Sequence, residues 1–324
     1  MKKRKVKLID EEFSVIGLGC WCMSGANFWT GCSDEESIRI VNQAIDLGVN
    51  FFDVAPVYGF GHAEEILGRA VKHNRHKVMI ASKVGLVWDD QYRIRNCLKP
   101  ESIYKEIDDS LRRLGTDYID IYQLHWPDPE TPIEETMEAL VKIKESGKIR
   151  YVGVSNFSTS RTLKAMSVTT VASQQCYYNM LERNPESYHS IPLEYRTEKE
   201  ILPFCKEHGQ AFFPYSPLFQ GLLTDGFQSA INFDKNDVRN ANPQLKGDNL
   251  KKNLETVEKL RGIALRIGKP LSQMVLNWLI RNEAITSIIC GVQKASEIKE
   301  NVACLEWELD DETMGEINKV LGIE

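Results

Sequence analysis

At 324 residues the chain is long enough for one large α/β barrel or for two small domains. Acidic residues outnumber basic ones, 46 to 40, which argues against a nucleic-acid partner, because such proteins carry a basic surplus. No apolar run is long enough to span a bilayer. The basic start Met1-Lys2-Lys3-Arg4-Lys5 leads into alternation rather than a signal core, so a cytoplasmic protein with no membrane partner is expected.

Alternation over residues 5–9, with Asp10-Glu11-Glu12 as a turn, predicts a small N-terminal β-hairpin. A first buried strand follows at 15–20, ending on Cys20. Acidic residues after Ser33 open a helix whose apolar face runs to Leu47, where Gly48 stops it. Strand and helix then alternate: strand 49–54, helix 63–71, strand 78–82, helix 100–114, strand 118–124, helix 132–146, strand 149–154, helix 158–167, strand 171–175, helix 198–207, strand 210–215. Helices at 254–267 and 271–281 precede an eighth strand at 286–290, and further helical segments close the chain. Eight such units predict an α/β fold, a (β/α)8 TIM barrel with an N-terminal β-hairpin and extra C-terminal helices, as one domain over 1–324. A doubly wound open sheet is the alternative that alternation leaves open. The long connections 84–100, 125–131 and 216–253 all follow strands and would stand at the mouth of a barrel.

Three successive strands end on chemistry. Phe51-Phe52-Asp53 runs into Tyr58, the next strand ends on Lys83, and Ile119-Asp120-Ile121-Tyr122-Gln123-Leu124 ends on His125. A buried Asp53 needs a partner, and Lys83 is the candidate. An ammonium beside a phenol is expected to lower the Tyr58 pKa and make it a proton donor. His125 could bind and polarise the same carbonyl oxygen. Asp120, among apolar neighbours, reads as a structural partner. The eight cysteines form no C-x-x-C pair, and no metal site is expected.

The pattern Phe52-Asp53-x-Ala55-x-x-Tyr58-Gly59, then Lys83, then Leu124-His125-Trp126-Pro127-Asp128, then Gly153-Val154-Ser155-Asn156-Phe157, resembles the aldo-keto reductase superfamily across essentially the whole chain. The resemblance implies Tyr58 as acid/base, Lys83 and Asp53 as its tuning pair, and His125 orienting the carbonyl. It also implies a nicotinamide cofactor extended across the barrel mouth without a G-x-G-x-x-G fingerprint, and none occurs here. Ser155, Asn156 and Gln175 would hold the carboxamide, Tyr215 would stack on the nicotinamide ring, and Cys20, Trp21 and Asp53 would lie close by. Ser216, Pro217, Leu218, Gln220, Gly221 and Leu222 would cover the pyrophosphate. Gly291, Gln293, Glu297, Glu300 and Asn301 would surround the adenosine.

NADP(H) is the cofactor the resemblance favours, with Arg239 and Lys294 as cations for a 2′-phosphate. NAD(H) stays open, because Glu297 would repel that phosphate and Asp225-Gly226 replaces the usual Gly-Lys. Trp21, Trp88 and Trp126 are expected to wall the substrate pocket, and Trp29 to close over it. The expected substrate is a small carbonyl compound or sugar, and the expected reaction is NAD(P)-dependent reduction of an aldehyde or ketone. The alternatives are a cofactor-sensing regulatory subunit and an NAD-dependent sugar or polyol dehydrogenase.

Overall fold

A computed structural model describes residues 1–25, 32–227, 233 and 237–323. Trp29 lies outside the described residues. Strands β1 (Lys3–Val6) and β2 (Ile9–Ser14) form the N-terminal hairpin. Its turn falls at Lys7-Leu8, earlier than expected: Asp10-Glu11-Glu12 are strand residues between the buried Ile9 and Phe13. Asp10 and Glu12 are exposed, and the half-buried Glu11 accepts from Arg150 at 3.0 Å and from the Tyr151 hydroxyl at 2.8 Å.

The barrel strands are β3 (Ile16–Gly19), β4 (Phe51–Asp53), β5 (Met79–Val84), β8 (Ile119–Leu124), β9 (Ile149–Ser155), β10 (Ser173–Tyr177), β13 (Ala211–Tyr215) and β14 (Ile288–Gly291). Two short antiparallel pairs interrupt the count, β6 (Leu86–Trp88) with β7 (Ile94–Asn96) and β11 (Ser187–Tyr188) with β12 (Ile191–Pro192). The eight barrel strands run parallel in the order β13-β10-β9-β8-β5-β4-β3-β14. The two ends of that ladder meet where the Thr286 N–H donates to the Phe212 carbonyl at 2.9 Å. Sequential order with joined ends is a barrel. A doubly wound sheet would reverse its order partway and leave two edges.

Helices α1 (Asp34–Asp46), α2 (His62–Val71), α3 (Pro100–Leu114), α4 (Ile133–Glu145), α5 (Thr159–Met166), α6 (Leu202–His208), α7 (Gly247–Arg266), α8 (Leu271–Arg281), α9 (Ala295–Ala303) and α10 (Asp311–Leu321) complete the chain. Ser33 caps α1 by accepting from the Glu36 N–H. The helix predicted at 198–207 is split into a π turn, Thr197–Ile201, and α6. Pro203, which lacks an N–H, cannot bond to the turn before it, and the wider turn accommodates this. Helix α7 begins seven residues before its predicted start, and β10 lies two residues later than predicted.

The barrel's interior is apolar at one end and polar at the other. Phe13 of the hairpin packs against Phe51 and Phe213, both at 5.3 Å between ring centroids, and closes the N-terminal end. Moving along the strands, the inward positions become Asp53, Lys83, His125, Ser155 and Gln175, all buried at the opposite end. Asp120 sits away from them, held by Arg75 at 2.8 Å and by the Ile80 N–H at 2.9 Å, as a structural partner should be. Among the described residues no helix is long and apolar enough to cross a membrane, and no cluster of metal-binding side chains occurs.

Candidate active site

Lys83, with no exposed surface, organises the polar end. Its Nζ donates to Asp53 Oδ1 at 2.7 Å and Oδ2 at 2.9 Å, to the Val54 carbonyl at 3.1 Å and to the Tyr58 hydroxyl at 3.2 Å. Gln175 Nε2 also donates to Asp53 Oδ1, at 2.7 Å. The phenol ring of Tyr58 lies 4.8 Å from Trp21 and 6.1 Å from the His125 imidazole, edge-on to both. Four residues separated by up to 72 positions therefore meet because three adjacent parallel strands end at one level.

Burial sets the protonation of this group. It lowers the Lys83 pKa, and the Asp53 carboxylate works against that change. Burial, and then the Lys83 charge, push His125 well below the ordinary imidazole range, so the ring is neutral at pH 7. The Tyr58 phenol is raised well above its ordinary value, by burial first and by Asp53 second. This corrects the expectation of a lowered phenol. The Lys83 ammonium is bound by both oxygens of Asp53, so Tyr58 faces a near-neutral pair rather than a bare cation.

A cleft of about 860 Å³ opens over these residues, within the range of roughly 300–1,000 Å³ usual for small-molecule and cofactor sites. Asp53, Tyr58 and His125 line its floor with Trp21, Trp126, Ser155, Asn156, Gln175 and Tyr215. Ser216, Pro217, Leu218, Gln220 and Gly221 line its middle, and Gly291, Gln293, Glu297, Glu300, Asn301 and Arg239 its far end. The donor set fits a dinucleotide: hydroxyl and amide groups lie beside the phenol, and open space stands over Gly221, where an added Cβ would meet nothing within 4 Å.

Several expected residues stand elsewhere. Cys20 is in the core beneath the cleft, whose wall is formed instead by Gly19 and Cys22. Leu222 is fully buried, anchoring the loop rather than lining it. Lys294 is exposed and does not line the cleft; it is the extended residue before α9. Trp88 packs against Phe60, with ring centroids 5.2 Å apart and planes tilted by 53°, and Leu86 and Ile94 of the same β6–β7 pair line the cleft in its place. Arg239 lines the far end but is gripped by Asp237, with Nε to Oδ1 at 2.9 Å and Nη2 to Oδ2 at 2.6 Å.

Asn156 is already committed within the protein. Its Oδ1 accepts from the Tyr195 hydroxyl at 3.0 Å and the Tyr215 hydroxyl at 2.9 Å, while Nδ2 donates to the His125 carbonyl and to Ser155 Oγ, both at 3.1 Å. It fixes its neighbours in place. Tyr188, Leu86 and Ile94 are lining residues that sequence reading missed. The signal for the β6–β7 pair was present, as the apolar run Leu86-Val87-Trp88 and the alternation Tyr92-Arg93-Ile94-Arg95 on either side of the polar turn Asp89-Asp90-Gln91.

Comparison with known proteins accords with this geometry. The Aldo/keto reductase family model matches residues 15–321. The chain is 34% identical over 313 residues to the aldo-keto reductase YhdN of Bacillus subtilis, covering 96% of this chain and 90% of that one. It is 32% identical over 326 residues to an NADH-specific methylglyoxal reductase of Escherichia coli, covering 96% and 95%. Among solved structures, a glycerol dehydrogenase from Gluconobacter oxydans matches with a TM-score of 0.87 and 33% identity, over 99% of this chain and 95% of that one. The chain belongs to the aldo/keto reductase family and is an NAD(P)H-dependent oxidoreductase of carbonyl compounds.

Proposed function

We propose that the protein reduces a small aldehyde or ketone to the alcohol, with Tyr58 as the general acid. A reduced nicotinamide, when bound, supplies hydride to the carbonyl carbon. Ser155, Gln175 and Tyr215 would hold its reactive end, residues 216–221 its pyrophosphate, and Gly291, Gln293 and Asn301 its adenosine. Tyr58 gives its proton to the carbonyl oxygen as negative charge gathers there. Lys83, 3.2 Å from the phenol oxygen, stabilises the phenolate left behind, and Asp53 keeps Lys83 charged despite its burial. Neutral His125 donates an N–H to the same carbonyl oxygen and sets its position. The observation that carries the proposal is the Lys83 ammonium reaching Asp53 and Tyr58 together at the floor of the cleft.

The raised phenol leaves Tyr58 protonated at neutral pH, the form that a general acid needs. The similar glycerol dehydrogenase supports a second reading, in which the same residues oxidise a polyol. Resemblance favours NADP(H), but the charges at the far end support NADH: Glu297 and Glu300 line it, Asp237 occupies Arg239, and Lys294 lies outside.

Loss of reduced-nicotinamide absorbance over a panel of aldehydes tests the reading. Tyr58→Phe should lower kcat by about 10²–10⁴-fold, the usual worth of a positioned acid, while cofactor affinity holds. Equal turnover by both proteins would refute the role of Tyr58. Faster oxidation of glycerol than reduction of any aldehyde would favour the second reading.

A further inference from the structure

One chain of hydrogen bonds ties three cleft-lining segments together and has no part in the chemistry above. Gln220 Nε2 lies 2.9 Å from His189 Nε2, in the turn between β11 and β12. On its other side Gln220 Oε1 accepts from Asn242 Nδ2 at 2.9 Å. Asn242 Oδ1 in turn accepts from the Gln244 N–H, also at 2.9 Å.

The last bond fixes the sense of all the others. A backbone N–H can only donate, so the oxygen of Asn242 faces Gln244 and its amide nitrogen faces Gln220. The oxygen of Gln220 must then face Asn242, which leaves its amide nitrogen to donate to His189. His189 Nε2 is therefore the acceptor, and the ring is neutral with its proton on Nδ1. Protonating Nε2 would set two donors against each other. Relief by flipping both amides would cost the bond from Gln244.

The loop that Gln220 belongs to is under strain. Ser216, Phe219 and Gln220 have left-handed backbones, with φ of 54°, 49° and 55°, and none is glycine. His189 and Ser190 share that conformation, at 49° and 67°. Such conformations persist where neighbouring contacts hold them. Phe219 anchors the loop as a fully buried side chain, and the Asn179 amide donates to the Ser216 carbonyl at 3.3 Å. The Gln220 amide adds the bonds to His189 and Asn242.

We propose that Gln220 is a positioning residue: through His189 and Asn242 it latches residues 216–221 over the bound dinucleotide, and cofactor release waits for this hydrogen-bond chain to open. The proposal rests on the reading that the cofactor lies along the cleft under that loop. It also makes release depend on pH. His189 titrates below the ordinary histidine range because it is buried, and its bond to Gln220 acts the other way. No carboxylate or cation contributes to that shift, and the ring against His189 is Tyr188, at 4.3 Å and tilted by 33°, itself raised by burial, with hydrogen bonds to Ser216 and Gln220 acting the other way. As pH falls, protonation removes the acceptor and opens the latch.

The test is the rate of NADH and NADPH release, followed by stopped-flow nicotinamide fluorescence in the full-length protein between about pH 8 and about pH 5. Gln220→Ala should release cofactor about tenfold faster at the upper pH, from the loss of two hydrogen bonds. Wild-type release should accelerate as pH falls. His189→Asn keeps an acceptor oxygen and cannot titrate, so its release should match the wild type at the upper pH and stay flat below it. A residue that merely supported the fold would not remove the pH dependence in that variant. Release from Gln220→Ala within twofold of wild type, or an unchanged pH dependence in His189→Asn, overturns the latch. Failure of the wild type to bind either dinucleotide would instead overturn the function proposed above.

Discussion

Removing the charge of Lys83 tests the polar end of the barrel most severely. Asp53 is 3% exposed and receives two bonds from Lys83 and one from Gln175. Lys83→Met keeps the side chain's length and apolar stem but leaves Asp53 with the Gln175 amide alone. Breaking a buried ion pair from one side typically costs about 3–5 kcal/mol, since the remaining charge has lost its compensation. The remaining Gln175 bond puts the expectation near the lower end, at about 3 kcal/mol. Adding Asp53→Asn should recover at least half of that loss, because a neutral amide still accepts from Gln175 and carries no uncompensated charge. Equilibrium urea unfolding of the two variants and the wild type measures both quantities. Activity should not recover with stability, because neither variant has an ammonium beside Tyr58. A loss below about 1 kcal/mol in Lys83→Met, or a double variant less stable than the single one, would refute the account of Asp53 and Lys83 as a mutually dependent buried pair.

Glu106 provides a pH test away from the site. Burial pushes its carboxyl up to about 7, although it accepts from the Gly85 N–H at 3.0 Å and from Ser102 Oγ at 2.9 Å. The folded state therefore holds this proton more tightly than the unfolded chain, whose value is 4.5. Its stabilisation is complete below about pH 4.5 and is lost as pH rises through about 7, a swing of about 3 kcal/mol. Unfolding free energies measured at both ends of that window should show the swing in the wild type and not in Glu106→Gln. At the far end of the cleft, Glu297→Gln removes a carboxylate whose Oε2 accepts from the Gln293 N–H at 2.7 Å. The ratio of kcat/KM for NADPH over NADH should rise about tenfold, and an unchanged ratio would refute an electrostatic role for Glu297 in cofactor choice.

Sequence reading located the reacting groups because their signals are local. A strand that ends on a charge after an apolar run is conspicuous in Phe51-Phe52-Asp53 and in the run to Lys83, and eight alternating units restrict the fold to few topologies. What it placed wrongly were side chains whose position depends on packing rather than on spacing. Trp88 looked like a pocket wall, but the β6–β7 pair turns it onto Phe60 and brings Ile94 to the cleft. Lys294 and Arg239 looked like equivalent cations, yet one is exposed outside the cleft and the other is gripped by Asp237.

The sequence alone therefore determined eight alternating strand–helix units, the identity of the four polar residues at the strand ends and their order along the chain, since periodicity and strand ends are properties of neighbouring residues. Closure of the sheet into a barrel rests on the pairing of its two ends. The tertiary structure decided the protonation of those residues and the occupancy of their hydrogen bonds. The raised phenol of Tyr58, the neutral imidazole of His125 and the amide chain from Gln244 to His189 all depend on burial and on partners distant in sequence. Desolvation and pairing energies belong to an environment, and only the folded chain supplies one.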